Sequence, residues 1–350
     1  MWLLIVLVCA AVGGIIGIRL KLPASAMLGS MIAVAVFTVV TDIQATPTWI
    51  KVAAQIVSGG YIGTTMTKDS LGQIKSMAPT AALLLAGMLI INLTVGGILY
   101  LTSPLDLCTS LFSTTPGGLT DVTIISDDMG ADSPIVSVFQ VCRMSAAISI
   151  FPLIIPKIVG VKSKGQKSGN TKKKETARLT KEQYMNLGKT ILIAVVTGIL
   201  GYLSHIPAGT IIFSVLGVSY SKIKHGIGFI PMRVKQGAQM LSGAFIGSKI
   251  TFATIKLIIS MWYNVLIVLV IFIPACLLLG YCLHRFAKVD LLTALFCSAP
   301  AGASDMALIA SDIGADGPNV AILQIVRMLG VIAFFPSIIK GIVSVLGWNP

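Results

Sequence analysis

Residues 106–144, DLCTSLFSTTPGGLTDVTIISDDMGADSPIVSVFQVCRM, recur as residues 290–328, DLLTALFCSAPAGASDMALIASDIGADGPNVAILQIVRM. The two stretches agree at 18 of 39 positions without a gap, at an offset of 184 residues. The same offset relates residues 54–63 to residues 238–247. Chance similarity between apolar segments does not hold one register through Pro, Gly, Asp, Gln and Arg. The sequence therefore predicts two copies of one structural unit.

The two predicted copies are residues 1–166 and 185–350, and the linker between them, residues 167–184, is basic. Residues 157–189 contain ten Lys or Arg and two Glu, so this stretch carries +8 of the formal net charge of +13. A basic loop between apolar segments is typical of the cytoplasmic side of a membrane, where it can also contact anionic lipid. Because the excess charge is concentrated in this loop, we predict no nucleic-acid partner.

Long apolar segments place the chain in a membrane. Charged residues make up only 11% of the sequence, against about 25% in soluble domains. Residues 77–101 and 262–283 contain no Asp, Glu, Lys or Arg, and roughly 20 apolar residues span a bilayer as a helix. Gly14 and Gly17 of the first apolar segment have partners at the offset of 184, so this segment is predicted to be a structural helix rather than a cleaved leader. We expect an all-α polytopic protein of the cell (cytoplasmic) membrane.

Each unit contains six apolar segments, and in unit one the fifth is interrupted at residues 113–118. Cations follow the first segment of unit one, at Arg19 and Lys21, but the second segment of unit two, at Lys222 and Lys224. Equivalent loops therefore carry their cations on opposite faces. This pattern predicts two inverted-topology repeats, each with about five transmembrane helices and one broken or re-entrant helical hairpin. If the broken segment crosses the membrane instead, the units are parallel and the linker lies outside.

The interruption in the fifth segment is the candidate site. Thr115 is a suitable N-cap, Pro116 fits the first position of a helix, and Gly117 and Gly118 allow close backbone approach. A half-helix that begins here would present free N–H groups inside the membrane, and such an end attracts anions. The residues of unit two included in the predicted site at this break are Ser298, Gly302 and Ser304.

Two aspartates and two arginines accompany the interruptions. Asp121 and Asp305 lie one turn into the half-helices, and Arg143 and Arg327 lie about 14 Å along the next segments, close to the bilayer midplane. A charge at that depth needs a partner or a cavity, so the sequence predicts the ion pairs Asp121–Arg143 and Asp305–Arg327. Two interpretations stay open: the pairs only lock helices together, or they line a substrate path in which an aspartate takes up a proton.

Four glutamines complete the set of candidate binding residues. Gln140 and Gln324 precede the two arginines by three residues and share their helix face. Gln55 and Gln239 lie in apolar segments that each contain a GxxxG motif, which predicts close helix packing; these two glutamines either join helices or belong to the site. The Asp-x-Gly-Ala-Asp motif at residues 128–132, which also recurs, is interpreted as a turn with capping residues.

The cysteines and histidines indicate no cofactor and no metal site. The six cysteines lie mostly in apolar segments and form no CxxC pair, and the three histidines show no ligand spacing. Buried reduced thiols are the expectation for such cysteines.

The motif Pro-Gly-Gly-Leu-Thr-Asp at residues 116–121, together with Gln-x-x-Arg at residues 140–143, resembles the membrane AbrB family, which is recognised by the duplication of these motifs. The resemblance covers nearly the whole chain. The family often carries an ammonia monooxygenase label and shares its name with a soluble DNA-binding regulator, and neither function fits these residues. The unit is also distantly similar to the superfamily of cation/proton antiporters and anion transporters. Unit two departs from unit one in having Ala299 and Ala301 at the interruption, so the two half-sites need not be equivalent.

These features favour a secondary transporter rather than an enzyme. We expect it to move a small solute, with an anionic or zwitterionic group, by alternating access coupled to protons or sodium. The alternative is a non-transporting membrane protein with a regulatory role in gene expression. An intramembrane monooxygenase fits less well, because copper or di-iron oxygenases need clustered ligands. The expected partners are membrane lipid and the small solute, and the sequence leaves a homodimer open.

Overall fold

The computed structural model describes residues 2–20, 24–43, 46–67, 72–73, 77–160, 180–300 and 303–345, without the side chains of residues 303–305 and 308. The helices of the first unit are α1 (Trp2–Arg19), α2 (Ser25–Thr41), α3 (Thr48–Gly63), α4 (Ala78–Thr102), α5 (Leu107–Thr114), α6 (Leu119–Asp128) and α7 (Ser133–Val159). Those of the second are α8 (Lys181–Leu203), α9 (Gly209–His225), α10 (Met232–Gly247), α11 (Phe252–Ser260), α12 (Trp262–Ala287), α13 (Leu291–Ser298), α14 (Ala303–Ile313) and α15 (Gly317–Val345).

The length and apolarity of the helices confirm an all-α polytopic membrane protein. Within the described ranges no strand occurs, and six helices are long and apolar enough to cross a membrane: α1, α4, α7, α8, α12 and α15. A seventh span is possible if α10 and α11, which meet at a bend of 94°, count as one. Residues 167–179 of the predicted linker lie outside the described residues, and α8 begins within its last residues.

The helix bounds repeat at the offset found in the sequence. The helices α2 and α9 begin at Ser25 and Gly209, and 209 − 25 is 184. The bounds of α3 and α10, and those of α5 and α13, differ by the same 184 residues at both ends. The helices of the first unit therefore recur in the same order in the second, and most of the positions equivalent to α11, residues 68–76, lie outside the described residues.

The equivalent helices α4 and α12 pack against each other and run antiparallel. Asn264, near the start of α12, donates through Nδ2 to the backbone oxygen of Thr102 at the end of α4, over 3.1 Å. Towards the opposite ends of the pair, Gly87 packs against Leu279. Antiparallel equivalent helices are the relation that inverted repeats require; the orientation of the units in the membrane stays a prediction.

The two GxxxG segments pack closely on helices of the opposite unit, as their sequence predicts. Gly59 of α3 lies against the backbone of Ile211 in α9, and Gly243 of α10 lies against the backbone of Met27 in α2. These four residues form two equivalent pairs at the offset of 184, so the contacts are reciprocal. A side chain at either glycine would collide with the facing backbone, which explains the small residues. The two units are therefore interlocked through α2, α3, α9 and α10.

The interrupted fifth segment of each unit folds back on itself. In unit one, Thr109 near the start of α5 accepts a hydrogen bond through Oγ1 from the backbone N of Asp132, after the end of α6, over 3.0 Å. In unit two, Thr293 accepts the equivalent bond from Asp316 over 3.1 Å. The start of the first half-helix therefore lies beside the end of the second half-helix in each hairpin. The turns between their half-helices, which we call the hairpin tips (residues 115–118 in unit one, 299 and 300 in unit two), meet inside the molecule.

Candidate functional site

A cavity of about 60 Å³ lies between the two hairpin tips. Both units line it, and the residues are Gly117, Gly118, Leu119, Gln140, Arg143, Met144, Pro300, Gln324, Arg327 and Met328. Six of these are residues that the sequence predicts for the site: two glycines, two glutamines and two arginines. Positions far apart in the chain thus form one site because each unit brings its tip beside the helix that follows.

The two glutamines hold the hairpin tips in place. Gln140 on α7 donates through Nε2 to the backbone oxygens of Phe112 and Thr115, each over 2.9 Å. Gln324 on α15 donates in the same way to Ala299 over 3.0 Å. Carbonyls at the end of a helix have no partner within that helix, and the buried glutamine amides supply one. Gln140 and Gln324 therefore lie in the cavity wall partly because they bind the backbone of the hairpin tips.

The half-helix after the first tip begins later than the sequence predicts. The helix α6 starts at Leu119, with the extended Gly118 as its N-cap and no side-chain cap. Thr115 is instead the C-cap of α5, and its hydroxyl donates to the backbone oxygen of Leu111 over 2.8 Å. The predictions that Thr115 is an N-cap and Pro116 a first helical residue are therefore wrong. The hydroxyl of Thr115 is used at the end of α5, where the carbonyl of Leu111 also accepts from Nδ2 of Asn92 over 2.8 Å.

Arg143 projects into the cavity wall from α7 and is only 3% exposed. Its Nη2 donates to Oε1 of Gln140, and its guanidinium carbon lies 5.4 Å from the ring centroid of Phe272. Its Nε and Nη1 have no hydrogen-bond partner among the described residues. The equivalent Arg327 is 4% exposed and donates through Nη1 to the backbone oxygen of Ala299 over 2.6 Å.

The predicted ion pair between Asp121 and Arg143 does not form. Asp121 is buried in the first turn of α6 beside Gly118, and its carboxylate interacts electrostatically with Lys235 of α10. The pair fails because Asp121 lies on the part of α6 that faces α10, whereas Arg143 turns towards the cavity and Gln140. For the second predicted pair, the side chain of Asp305 lies outside the described residues.

Comparison with known proteins gives the family. The family model described as "Transition state regulatory protein AbrB" matches residues 1–159 and, a second time, residues 148–342. This chain belongs to the AbrB family. It is similar to "Putative regulator AbrB" of Escherichia coli (strain K12), with 24% identity over 331 residues, which are 92% of this chain and 91% of the relative.

A shorter match relates this AbrB-family chain to "Uncharacterized protein YhjN" of Bacillus subtilis (strain 168). The two are 33% identical over 101 residues, which are 29% of this chain and 26% of the relative. The family named from the duplicated motifs is therefore confirmed.

One group of charged residues in this AbrB-family chain was not predicted as a unit. Lys51 of α3 lies with its Nζ 2.9 Å from Asp127 Oδ2 and 2.7 Å from Asp128 Oδ1, at the end of α6. Lys249, which follows α10, also forms an ion pair with Asp127. We call Lys51, Asp127, Asp128 and Lys249 the ion-pair cluster. The cluster joins the first hairpin to the interlocked helices α3 and α10. The sequence signal that could have indicated it is Lys51, a single cation in an apolar segment.

Gln55 belongs to this cluster rather than to the cavity. Its Nε2 lies 2.5 Å from Asp128 Oδ2, so it joins α3 to the end of α6. The side chain of the equivalent Gln239 is half-buried and makes no hydrogen bond to another described residue. Asp132, the last residue of the Asp-x-Gly-Ala-Asp motif, is the N-cap of α7 and accepts a hydrogen bond from the backbone N of Ile135 over 3.2 Å. This confirms its prediction as a capping residue.

The remaining predicted residues of unit two are described incompletely. Ser298 is buried and donates to the backbone oxygen of Leu295 over 3.0 Å, so it ends α13. Gly302 lies outside the described residues, as do the side chains of Ser304 and Asp305. In the part of the chain that is described, no group of three or more His, Cys, Asp or Glu side chains is placed to hold a metal ion.

Proposed function

We propose that this AbrB-family chain is a secondary transporter that moves a small solute across the cytoplasmic membrane by alternating access. One observation carries the proposal: both units contribute a hairpin tip and a buried arginine to a single cavity between them. Secondary transporters built from inverted repeats bind their solutes where broken helices meet at the repeat interface. Buried charges in membrane segments commonly mark such a path.

The contacts between the units divide the molecule in a way that suits alternating access. The helices α2, α3, α9 and α10 are interlocked by reciprocal glycine contacts, and α1 and α8 pack against them. The hairpins instead pack with α4, α7, α12 and α15 around one large apolar core. Movement of the hairpin-bearing group against the interlocked group would expose the cavity to one side at a time. The ion-pair cluster, which joins the two groups, would break as that side opens.

Coupling to a proton or sodium gradient is proposed to involve Asp121. This carboxylate is 8% exposed and lies behind Gly118, one of the residues that line the cavity. A buried, charged aspartate in a membrane segment costs free energy. A proton or a bound cation would neutralise this charge, and its affinity would change as the surroundings of Asp121 change during transport. Asp305 occupies the equivalent position in unit two.

Uptake into proteoliposomes under an imposed proton gradient tests the function. We expect gradient-driven uptake of at least one small solute by the unaltered protein, and loss of the gradient dependence in Asp121→Asn and Asp305→Asn. Asp42→Asn, which changes an exposed loop carboxylate, is the matched control and should behave as the unaltered protein. Absence of flux for every solute class tried, in vesicles shown to contain folded protein, would reject transport.

A regulatory role is the alternative that the name of the Escherichia coli relative suggests. A regulator that acts through the basic linker should lose its effect when the lysines of residues 167–184 are neutralised, and should keep it in Asp121→Asn. A transporter should show the reverse. We do not propose an enzyme, because the described lining of the cavity contains neither a nucleophile nor a carboxylate.

A further inference from the structure

We propose that the cavity between the hairpin tips binds the carboxylate group of a short monocarboxylate, and that this anion is the solute recognised in transport. The identity of the solute rests on the proposed function, whereas binding of the anion does not depend on it.

The first observation is the state of Arg143. Its guanidinium is nearly inaccessible, lies in the cavity wall, and leaves Nε and Nη1 without a hydrogen-bond partner among the described residues. Buried donors in folded proteins almost always have partners, and an arginine without one is a strong donor to a carboxylate. The carboxylate of Asp121, the expected partner, forms no ion pair with Arg143 and lies beside Gly118. The free N–H groups therefore point to an acceptor from outside the chain.

The second observation is the sign of the charge around the cavity. Arg327 lies in the same wall, close enough for the two guanidinium groups to act on each other electrostatically. The uncapped first turn of α6 also begins at the cavity, with Gly118 and Leu119 in the wall, and the N-terminal end of a helix favours negative charge. None of the described lining residues is acidic, and the buried carboxylate of Asp121 lies behind Gly118 in the same first turn of α6. An anion between the arginines would offset their mutual repulsion.

The third observation concerns size and the apolar part of the wall. A volume of about 60 Å³ is far below the roughly 300–1,000 Å³ of pockets that enclose a drug-sized ligand. Met144, Met328, Leu119 and Pro300 also line the cavity. Methionine side chains adapt to small apolar groups. A carboxylate that carries one or two carbon atoms fits this combination better than a fully hydrated oxoanion.

The test is ligand binding by the purified full-length protein in detergent. Thermal unfolding and calorimetric titration are measured with acetate, propionate, phosphate and ammonium, at constant ionic strength with a bulky sulfonate as the balancing anion. We expect saturable stabilisation by acetate and propionate, and no stabilisation by ammonium. In Arg143→Gln the affinity should fall at least about tenfold, as expected for the loss of a charged hydrogen bond. Lys256→Gln, which removes an exposed cation of α11, should leave the affinity unchanged.

A second variant keeps the charges and removes the space. Met144→Phe should fill part of the cavity and weaken binding of propionate more than that of acetate, and it decides the matter if Arg143→Gln does not fold. No saturable response of the unaltered protein, or unchanged affinity in both folded variants, would overturn the anion site. A response to phosphate alone would overturn the monocarboxylate class. Carboxylate binding without flux would support the anion site and reject the transporter function. Flux of another solute without carboxylate binding would support the transporter function and reject the anion site.

Discussion

Arg143 and Arg327 line one cavity although 184 positions separate them in the sequence. Each is buried, and an arginine at the centre of a membrane helix costs about 2.5–3.5 kcal/mol on the insertion scale. Two such charges in one wall add their repulsion to that cost. Each arginine contacts the structure around its hairpin tip, Arg143 through Gln140 and Arg327 through Ala299.

Gln140, which holds the first hairpin tip, should be more important for stability than Gln239 of α10. Gln140→Leu leaves the backbone oxygens of Phe112 and Thr115 without their side-chain donor, and each such loss costs about 1–3 kcal/mol. Gln239→Leu is the matched control, because the side chain of Gln239 makes no hydrogen bond to a described residue, and it should change stability by less than about 0.5 kcal/mol. Unfolding in mixed detergent measures both. Equal losses in the two variants would contradict the role given to Gln140.

The reciprocal glycine contacts predict a sharp difference between two glycines of the same helix. A methyl group at Gly243 would overlap the backbone of Met27, so Gly243→Ala should destabilise the protein by about 1–3 kcal/mol. No neighbouring atom lies within 4 Å of the equivalent methyl position at Gly237. Gly237→Ala should therefore be neutral or stabilising, since alanine favours helix over glycine. Chemical unfolding of both variants tests this prediction. Equal stability of Gly243→Ala and Gly237→Ala would contradict the close contact between α2 and α10.

The ion-pair cluster should show coupling between Lys51 and Asp127. Both side chains are almost buried, at 10% and 7% exposure, and removal of one partner of a buried pair is strongly destabilising, by about 3–5 kcal/mol when the other charge is left alone. Neither Lys51→Met nor Asp127→Asn leaves the other residue alone, because Lys249 also pairs with Asp127 and Asp128 also pairs with Lys51, so each change should cost less than that. A double-mutant cycle of these two changes should give a coupling energy above about 0.5 kcal/mol. Additive effects would show that the two residues do not stabilise each other.

Inverted repeats predict that equivalent loops lie on opposite faces of the membrane. Asp42 and Gly226 are equivalent at the offset of 184, end α2 and α9 with positive φ, and are both exposed. In a background without native cysteines, Asp42→Cys and Gly226→Cys should react with a membrane-impermeant thiol reagent from opposite sides. We expect labelling of Asp42→Cys from outside the cell. Labelling of both from one side would establish parallel repeats.

Periodicity and repetition made most of the fold predictable. One register through residues 106–144 and 290–328 was enough to predict two equivalent sets of helices, since the same sequence meets the same local constraints twice. The GxxxG packing was predictable for a similar reason, because only small residues admit a helix backbone that closely. The arginines, glutamines and glycines of the cavity could also be named, since each is a polar or flexible residue in an apolar segment.

Partners in space were not predictable, because they depend on which way a side chain turns. Asp121 and Arg143 both lie near the first hairpin tip, yet Asp121 is beside Gly118 and interacts electrostatically with Lys235 of α10, whereas Arg143 lines the cavity. Thr115 was assigned to the wrong half-helix because the sequence does not show that its hydroxyl donates to the backbone oxygen of Leu111. Lys51 had no visible partner until the end of α6 was placed beside it.

The position of a bound anion tests the central claim most directly. Bromodifluoroacetate carries both the proposed carboxylate and an anomalous scatterer, and unlike bromoacetate it does not readily alkylate cysteine or methionine, so a diffraction experiment on crystals soaked with it locates the bound anion. We expect one bromine peak at the cavity between the hairpin tips, with the carboxylate about 2.8 Å from a nitrogen of Arg143. A bromine peak only elsewhere on the protein, or none at a concentration that saturates binding in solution, would contradict the claim.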